Sequence, residues 1–211
     1  MNLALPLFLG FLASSVGITP PGLINMTAAK VGLKEGRTPA LIFSAGASVI
    51  VMVQALVAVL FARFLDRHPE ILIMLREVGL AIFGALTIYF FVAGRKSKPD
   101  KKEIKLHSKK SRFFLGMLLS AFNFFPIPFY VFISLMLASY QLFSFDKMFI
   151  YIFVLGAGLG AYFAFYCYIA FFKKMESRTK FILTNMNYII GSVTGLVCVL
   201  TLANILEYYF G

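Results

Sequence analysis

Two segments of this chain combine helix-breaking prolines with side-chain amides, residue types that bind small polar molecules without covalent chemistry. The first is Thr19-Pro20-Pro21-Gly22, with Asn25 following it in the same charge-free run. Consecutive prolines remove two backbone N–H donors and clash with the preceding helical turn, so we expect the helix to break there. The backbone groups freed by the break, together with the Asn25 amide, can donate to and accept from a ligand.

The second segment has the same make-up in the other half of the chain. Asn123 precedes Pro126 and Pro128 in a charge-free run from Phe113 to Phe145 that is too long for one straight helix across a bilayer. A single proline kink would favour a packing role with no ligand. A matched pair of proline-interrupted helices favours a binding site instead, and the packing role stays as the alternative.

Gln54 is the remaining candidate, because an amide within an apolar run needs a partner, either a substrate or another helix. His68 and His107 have no metal-ligand companion at useful spacing, and Cys167 and Cys198 form no paired motif. We therefore predict no enzyme activity, no metal and no cofactor. The predicted substrate-binding residues are Pro21, Gly22, Asn25, Gln54, Asn123 and Pro126.

The elements that must position these residues are membrane-spanning helices. Hydrophobic residues make up 60% of the chain and charged residues only 14%, which excludes an ordinary soluble domain. Six apolar runs, each long enough to supply the roughly 20 residues that a spanning helix needs, predict an all-α integral membrane protein. The charge-free runs are Met1–Ala29, Thr38–Ala62, Val78–Gly94 (extended by Ile71–Leu75), Phe113–Phe145, Met148–Phe172 and Phe181–Leu206.

Basic residues predict the orientation of these spans. Sixteen of the 20 Lys and Arg residues fall in the first, third and fifth loops, and four fall on the opposite side. Positive loops face the cytoplasm, so both termini are predicted outside, in a multi-pass protein of the cell inner membrane. The net charge of +11 then reflects cytoplasmic loops beside the lipid bilayer and predicts no nucleic-acid partner. The sixteen are Lys30, Lys34, Arg37, Arg95, Lys96, Lys98, Lys101, Lys102, Lys105, Lys109, Lys110, Arg112, Lys173, Lys174, Arg178 and Lys180; the four are Arg63, Arg67, Arg76 and Lys147.

The basic linker 95–112 divides the chain into two sets of three spans, 1–94 and 113–211. Because three is odd, the second set must cross the membrane inverted relative to the first. Two inverted three-helix repeats with broken helices are typical of transporters, whose binding site lies between the repeats near the midplane.

Small residues recur at helical spacing in three spans. Gly156 and Gly160 form one such pair, Gly191 and Gly195 another, and Ser44 with Ser48 a third. This spacing predicts close helix packing within the bundle, with contact in a homodimer as the alternative.

Short motifs at the breaks and span ends carry a family resemblance over almost the whole chain. They are Pro20-Pro21-Gly22 and Gly36-Arg37, Leu75-Arg76-Glu77-Val78-Gly79 and Gly94-Arg95, Phe113–Leu118 with Asn123, and Asn187 with Gly191 and Gly195. They resemble the lysine-exporter (LysE/RhtB-type) amino-acid efflux family. The chain departs from it in having Pro-Pro-Gly for Pro-Gly-Pro, in separating Asn123 from Pro126, and in lacking the acidic residue that many members carry in the second span.

The resemblance implies an inner-membrane exporter of amino acids or related small metabolites that works by alternating access. Since no Asp or Glu lies deep in a span, we expect a neutral or anionic side group on the substrate rather than that of lysine or arginine. Two alternatives stay open. One is a metal-ion or other small-solute transporter of the same superfamily shape, and the other is a non-transporting membrane scaffold.

Overall fold

The computed structural model describes residues 3–20, 22–94, 109–184 and 186–210, and within them the chain is all-helical. This confirms the predicted helical class for the described part of the chain. The eight helices are α1 (Ala4–Ile18), α2 (Leu23–Glu35), α3 (Arg37–Asp66), α4 (Pro69–Gly94), α5 (Lys109–Ala121), α6 (Pro126–Ser139), α7 (Lys147–Thr184) and α8 (Met186–Phe210).

Two of these helices, α3 and the Lys147–Phe171 part of α7, are long and apolar enough to cross a membrane. The count rises to four if each of two bent helix pairs forms one span. In α3 the side opposite the core also carries large apolar side chains, among them Val49, Val53 and Val57, which are 41%, 52% and 51% exposed. A helix that is apolar on all sides is suited to lipid, so the described residues include two to four helical segments compatible with a membrane protein.

The two bent pairs occur where the sequence predicts broken helices. The axis of α2 turns 81° from that of α1, across the Pro20 to Gly22 segment. The axis of α6 turns 66° from that of the Arg112–Ala121 part of α5, across the four residues before Pro126. Both predicted breaks are thereby confirmed.

The helices group into two compact units, and the first contains α1, α2, most of α3, α5, α6 and most of α7. Its core is built from small residues of α3 and aromatic side chains of several helices. The fully buried aromatic residues are Phe43, Tyr130, Phe153 and Phe165. Because alanines such as Ala47 and Ala58 leave room beside them, the larger rings fill the space between the helices.

Backbone-to-backbone contacts at glycine fix how α1 lies on α7. A Cβ atom added to Gly10 would lie 2.0 Å from the Phe153 carbonyl oxygen, and one added to Gly156 would lie 2.2 Å from the Leu7 carbonyl oxygen. Gly160 lies equally close to Phe11. The predicted close packing at Gly156 and Gly160 is confirmed, because any side chain there would push the helices apart.

Glycine contacts of the same kind hold α5, from the second half of the chain, on α3, from the first half. A Cβ atom added to Gly116 of α5 would lie 2.0 Å from the Phe43 carbonyl oxygen, and this matches the contact of Gly10 with Phe153. Gly46 of α3 lies against the Phe113 carbonyl oxygen at 2.0 Å, as Gly156 lies against Leu7. Each half therefore supplies one broken helix and one long helix, and each broken helix packs on the long helix of the other half.

The second unit consists mainly of α4 and α8, which pack along one another in antiparallel directions. Gly191 lies under the ring of Phe91, and Gly195 lies under Thr87 one turn further along. The predicted close packing at this glycine pair is confirmed too. These helices carry the third and sixth predicted spans, and the six-span count remains a prediction.

Two predicted loops are wrong in their extent. The fifth loop, with Lys173 and Lys180, is helical, since α7 continues to Thr184. Loop one is reduced to Gly36, whose φ of 99° suits glycine and allows α2 to be followed directly by α3. Charge marks the end of an apolar span, but Lys, Arg and Glu are good helix formers and do not end a helix. Most of the 95–112 linker lies outside the described residues.

Candidate functional site

The carbonyl groups freed at the first break are satisfied by the Asn25 amide. Its Nδ2 donates to the carbonyl oxygen of Ile18 at 2.6 Å and to that of Pro20 at 2.9 Å. Asn25 is only 5% exposed, so these carbonyls would otherwise lack a partner away from water. Both N–H groups of this amide are thus engaged by the chain itself.

A tyrosine of α7 completes the first break. The Tyr168 hydroxyl donates to the Thr19 carbonyl oxygen at 2.6 Å, and the Thr19 hydroxyl donates to the Ser15 carbonyl oxygen at 2.7 Å. Three successive carbonyls, those of residues 18 to 20, therefore accept from side chains. The C-terminal end of α1 is held open as a break instead of continuing into α2.

Gln54 of α3 donates to backbone carbonyl oxygens at the second break, as Asn25 does at the first. Its Nε2 donates to the carbonyl oxygens of Ser120 at 3.0 Å and of Asn123 at 2.7 Å. Carbonyl oxygens only accept, so the nitrogen of the amide must face them and its Oε1 must face away. Gln54 is thus the helix–helix contact that the sequence allowed as one of its two roles.

The two breaks lie beside each other. The Tyr130 hydroxyl of α6 donates to the Ser14 hydroxyl of α1 at 2.8 Å, with both side chains buried. One turn further along α1, the Phe129 ring comes so close to Gly17 that an added Cβ atom would lie 2.6 Å from it. The last turn of α1 therefore packs on the first turn of α6, within about a turn of each break.

The N-terminal ends of α2 and α6 differ chemically. Among the described residues no side chain caps α2, and none has an atom within 4 Å of a Cβ position added to Gly22. At the start of α6, Pro126 and Pro128 have no N–H, and the N–H of Ile127 donates to the Phe124 carbonyl oxygen. We expected both breaks to offer free N–H groups to a ligand, but only the first break does so, at the start of α2.

The structure thus brings four of the six predicted site residues to the two breaks in definite roles. Gly22 is the N-cap of α2, Asn25 closes the first break, and Gln54 contacts the backbone of Asn123. The Asn123 side chain forms no hydrogen bond with the described residues. Pro126 is buried at the start of α6, where it shapes the turn. Pro21 lies outside the described residues.

Sequence reasoning missed Tyr130 and Tyr168. Aromatic residues are so frequent in this chain that neither tyrosine stood out. The signal that distinguishes Tyr168 is its hydroxyl donating to a break carbonyl, and this depends on packing between distant segments.

Two contacts of basic residues tie the ends of the helices on the side that carries the positive loops. Arg112 at the start of α5 forms a two-pronged ion pair with Glu35 at the end of α2, with nitrogen–oxygen distances of 2.6 and 2.7 Å. Arg37 donates to the Tyr166 hydroxyl and lies 5.0 Å from the centre of its ring. Tyr166 is therefore occupied by the chain and not free to stack on a ligand.

The described residues hold no group of three His, Cys, Asp or Glu side chains that could bind a metal ion. Cys167 and Cys198 are both free thiols. Comparisons with protein-family models, curated proteins and solved structures find no match to this chain.

Proposed function

We propose that the chain is an inner-membrane exporter of amino acids or related small metabolites, with its substrate site between the two helix breaks. One observation carries the proposal: two broken helices pack against each other at the breaks, and side chains from elsewhere hold both breaks open. Broken helices at membrane depth are stable only where protein or a cavity satisfies the backbone, and they are the usual place of a transporter's site. The resemblance to the lysine-exporter family supports the same function.

We propose further that the chain forms six spans in two inverted repeats. The exchanged glycine contacts support this, because Gly10 on Phe153 and Gly116 on Phe43 are what a twofold relation between the halves produces. The two breaks also correspond, since each is satisfied from the long helix of the other half, by Tyr168 and by Gln54. Rocking of such halves about their shared site gives alternating access.

The substrate carboxylate would bind at the start of α2. The N-terminal end of a helix carries unpaired N–H groups and a partial positive charge, which favour an anion. Within the described part of the chain, no side chain caps this end or fills the space beside Gly22. The Asn123 side chain, with no partner among the described residues, is the second group available to the substrate.

Efflux from cells overexpressing the protein tests this function. We expect a carboxylate-bearing solute with a neutral or anionic side group to accumulate in the medium when a panel of amino acids is followed. Asn123→Ala should lower that efflux about tenfold, since a hydrogen bond to a charged group is worth about 1.5–3 kcal/mol. Ser139→Ala is the matched control, because its exposed hydroxyl donates only to its own helix at Met136.

Efflux confined to lysine or arginine would contradict the predicted substrate class. Unchanged efflux in both Asn123→Ala and Asn25→Ala would show that the site is elsewhere. If overexpression moves no amino acid but does move a metal ion or another solute, the transporter of different cargo replaces this proposal. If overexpression moves no solute at all, the non-transporting membrane scaffold replaces this proposal.

A further inference from the structure

Two buried polar atoms at the second break have no partner. The described residues with such atoms include Gln54 and Ser120, whose Oε1 and Oγ form no hydrogen bond. Gln54 is 6% exposed and Ser120 is fully buried. A buried polar group without a partner costs about 1–3 kcal/mol, so two at one place indicate a ligand.

Both atoms belong to residues that meet where α3 contacts the end of α5. The Gln54 Nε2 lies 3.0 Å from the Ser120 carbonyl oxygen, and Oε1 is attached to the same amide carbon. Two other buried serines in this unit have a partner: Ser44 donates to the Ala40 carbonyl oxygen at 2.9 Å and Ser134 to that of Tyr130 at 2.7 Å. Ser48 of α3 has none among the described residues, but no contact there joins it to the second break as Gln54 is joined to Ser120. Ser120 lacks even this ordinary bond within its helix.

The chemistry of the pair favours a positively charged donor. An amide oxygen can only accept, and a hydroxyl oxygen accepts as well as donates. Both lie at the C-terminal end of α5, where the helix carries a partial negative charge. The Gln54 nitrogen already serves the break carbonyls, so the remaining oxygens are free to accept from an N–H group.

We infer that Gln54 Oε1 and Ser120 Oγ bind the primary ammonium group of the substrate. This rests on the proposed function and specifies it, because the carboxylate is then held at the start of α2 and the ammonium at the end of α5. The contact between Gly17 and Phe129 joins the end of α1 to the start of α6, the helices that adjoin these two ends across the breaks. Because both oxygens are neutral, they suit a substrate with a single ammonium group. A substrate with a second positive charge would need a carboxylate as partner.

The test compares amino acids with the hydroxy acids of the same side chain, which carry a neutral hydroxyl in place of the ammonium group. Purified protein is reconstituted in vesicles loaded with alanine or lactate, leucine or hydroxyisocaproate, and phenylalanine or phenyllactate. We expect the transported amino acid to leave at least about ten times faster than its hydroxy acid. Ser120→Ala should lower amino-acid efflux about tenfold or more and leave hydroxy-acid efflux unchanged.

A structural role for Ser120 predicts a different result. Its hydroxyl has no partner, so Ser120→Ala should leave the melting temperature unchanged or raise it, and an efflux loss then reports on binding. Ser44→Ala is the matched control, a buried serine bonded to its own helix, and should leave both effluxes unchanged.

Three results would overturn the inference. Equal loss of amino-acid and hydroxy-acid efflux in Ser120→Ala, or equal efflux of both in the unmodified protein, removes the ammonium subsite and leaves the exporter in place. If efflux by the unmodified protein needs sodium ions and efflux by Ser120→Ala does not, the two oxygens bind an inorganic cation instead. Unmodified protein that moves none of the amino acids of the cellular panel, these three included, overturns the proposed function and the subsite with it.

Discussion

Single polar side chains stabilise the helix breaks of this protein. Asn25, Gln54 and Tyr168 each donate to carbonyl oxygens that the breaks have released from helical bonding. In hydrocarbon such carbonyls find no water, so the donor determines whether a break persists. A residue that sequence reasoning assigned to the substrate can therefore be part of the scaffold that shapes the site.

Asn25→Ala should lower the stability of the folded protein by about 2 kcal/mol, because two carbonyl groups at the break lose their donor. Asn25→Asp should be at least as harmful, since an ionised carboxylate cannot donate to them. The measurement is the melting temperature of the purified protein in detergent. Thr27→Ala is the control, since its hydroxyl donates only to Leu23 within α2. Equal melting temperatures for Asn25→Ala and the unmodified protein would refute the bridging role.

At the scale of helices, glycines determine which pairs approach closely. The α1–α7 and α3–α5 pairs share one pattern, in which a glycine of each helix lies on a carbonyl oxygen of its partner. Apolar burial gives little drive for association within lipid, so van der Waals contact at small residues holds such pairs together. The pattern recurs because, in each pair, the broken helix of one half packs on the long helix of the other half.

Gly10→Ala and Gly116→Ala should destabilise the protein by similar amounts, about 1–3 kcal/mol each. In both, the added Cβ atom would lie 2.0 Å from a backbone oxygen, which cannot move without shifting a helix. Melting temperatures in detergent provide the comparison. Gly84→Ala is the matched control, because its nearest neighbour is the Cys198 sulfur at 3.9 Å. A large loss in one variant and none in the other would show that the two contacts are not equivalent.

At the scale of the whole molecule, the distribution of Lys and Arg predicts how the chain sits in the membrane. Sixteen basic residues against four is a strong asymmetry in loops this short. The ion pair of Arg112 with Glu35 uses one of these residues for packing. The contact of Arg37 with Tyr166 uses another. We expect the basic charge on this side to determine orientation through the cytoplasmic surface and its anionic lipids.

Reporter fusions test this orientation. An alkaline phosphatase fused after either terminus should be active, because that enzyme folds only outside the cytoplasm, and the same fusion within residues 95–108 should be inactive. A green fluorescent protein fused at the same three places should give the reverse pattern and serves as the control. Fluorescent fusions at the termini would show that the chain is inserted the other way.

The places of the breaks were predictable because proline acts on its own turn of helix. The helical class followed from the apolar runs, and Gln54 was identified because an amide in such a run needs a partner. The end of α7 at Thr184 was not predictable, since basic residues end a span without ending a helix. The lack of free donors at the start of α6 follows from Pro126 and Pro128 themselves, which have no N–H.

The sequence by itself determined the membrane character, the two breaks and the asymmetry of charge, because hydropathy, proline sterics and loop charge act locally along the chain. Only the tertiary structure decided which donors satisfy the breaks, which glycines meet which carbonyls, and that Ser120 and Gln54 leave oxygens without partners. Those outcomes depend on contacts between segments far apart in sequence, and a freed carbonyl gives no local sign of the side chain that will reach it.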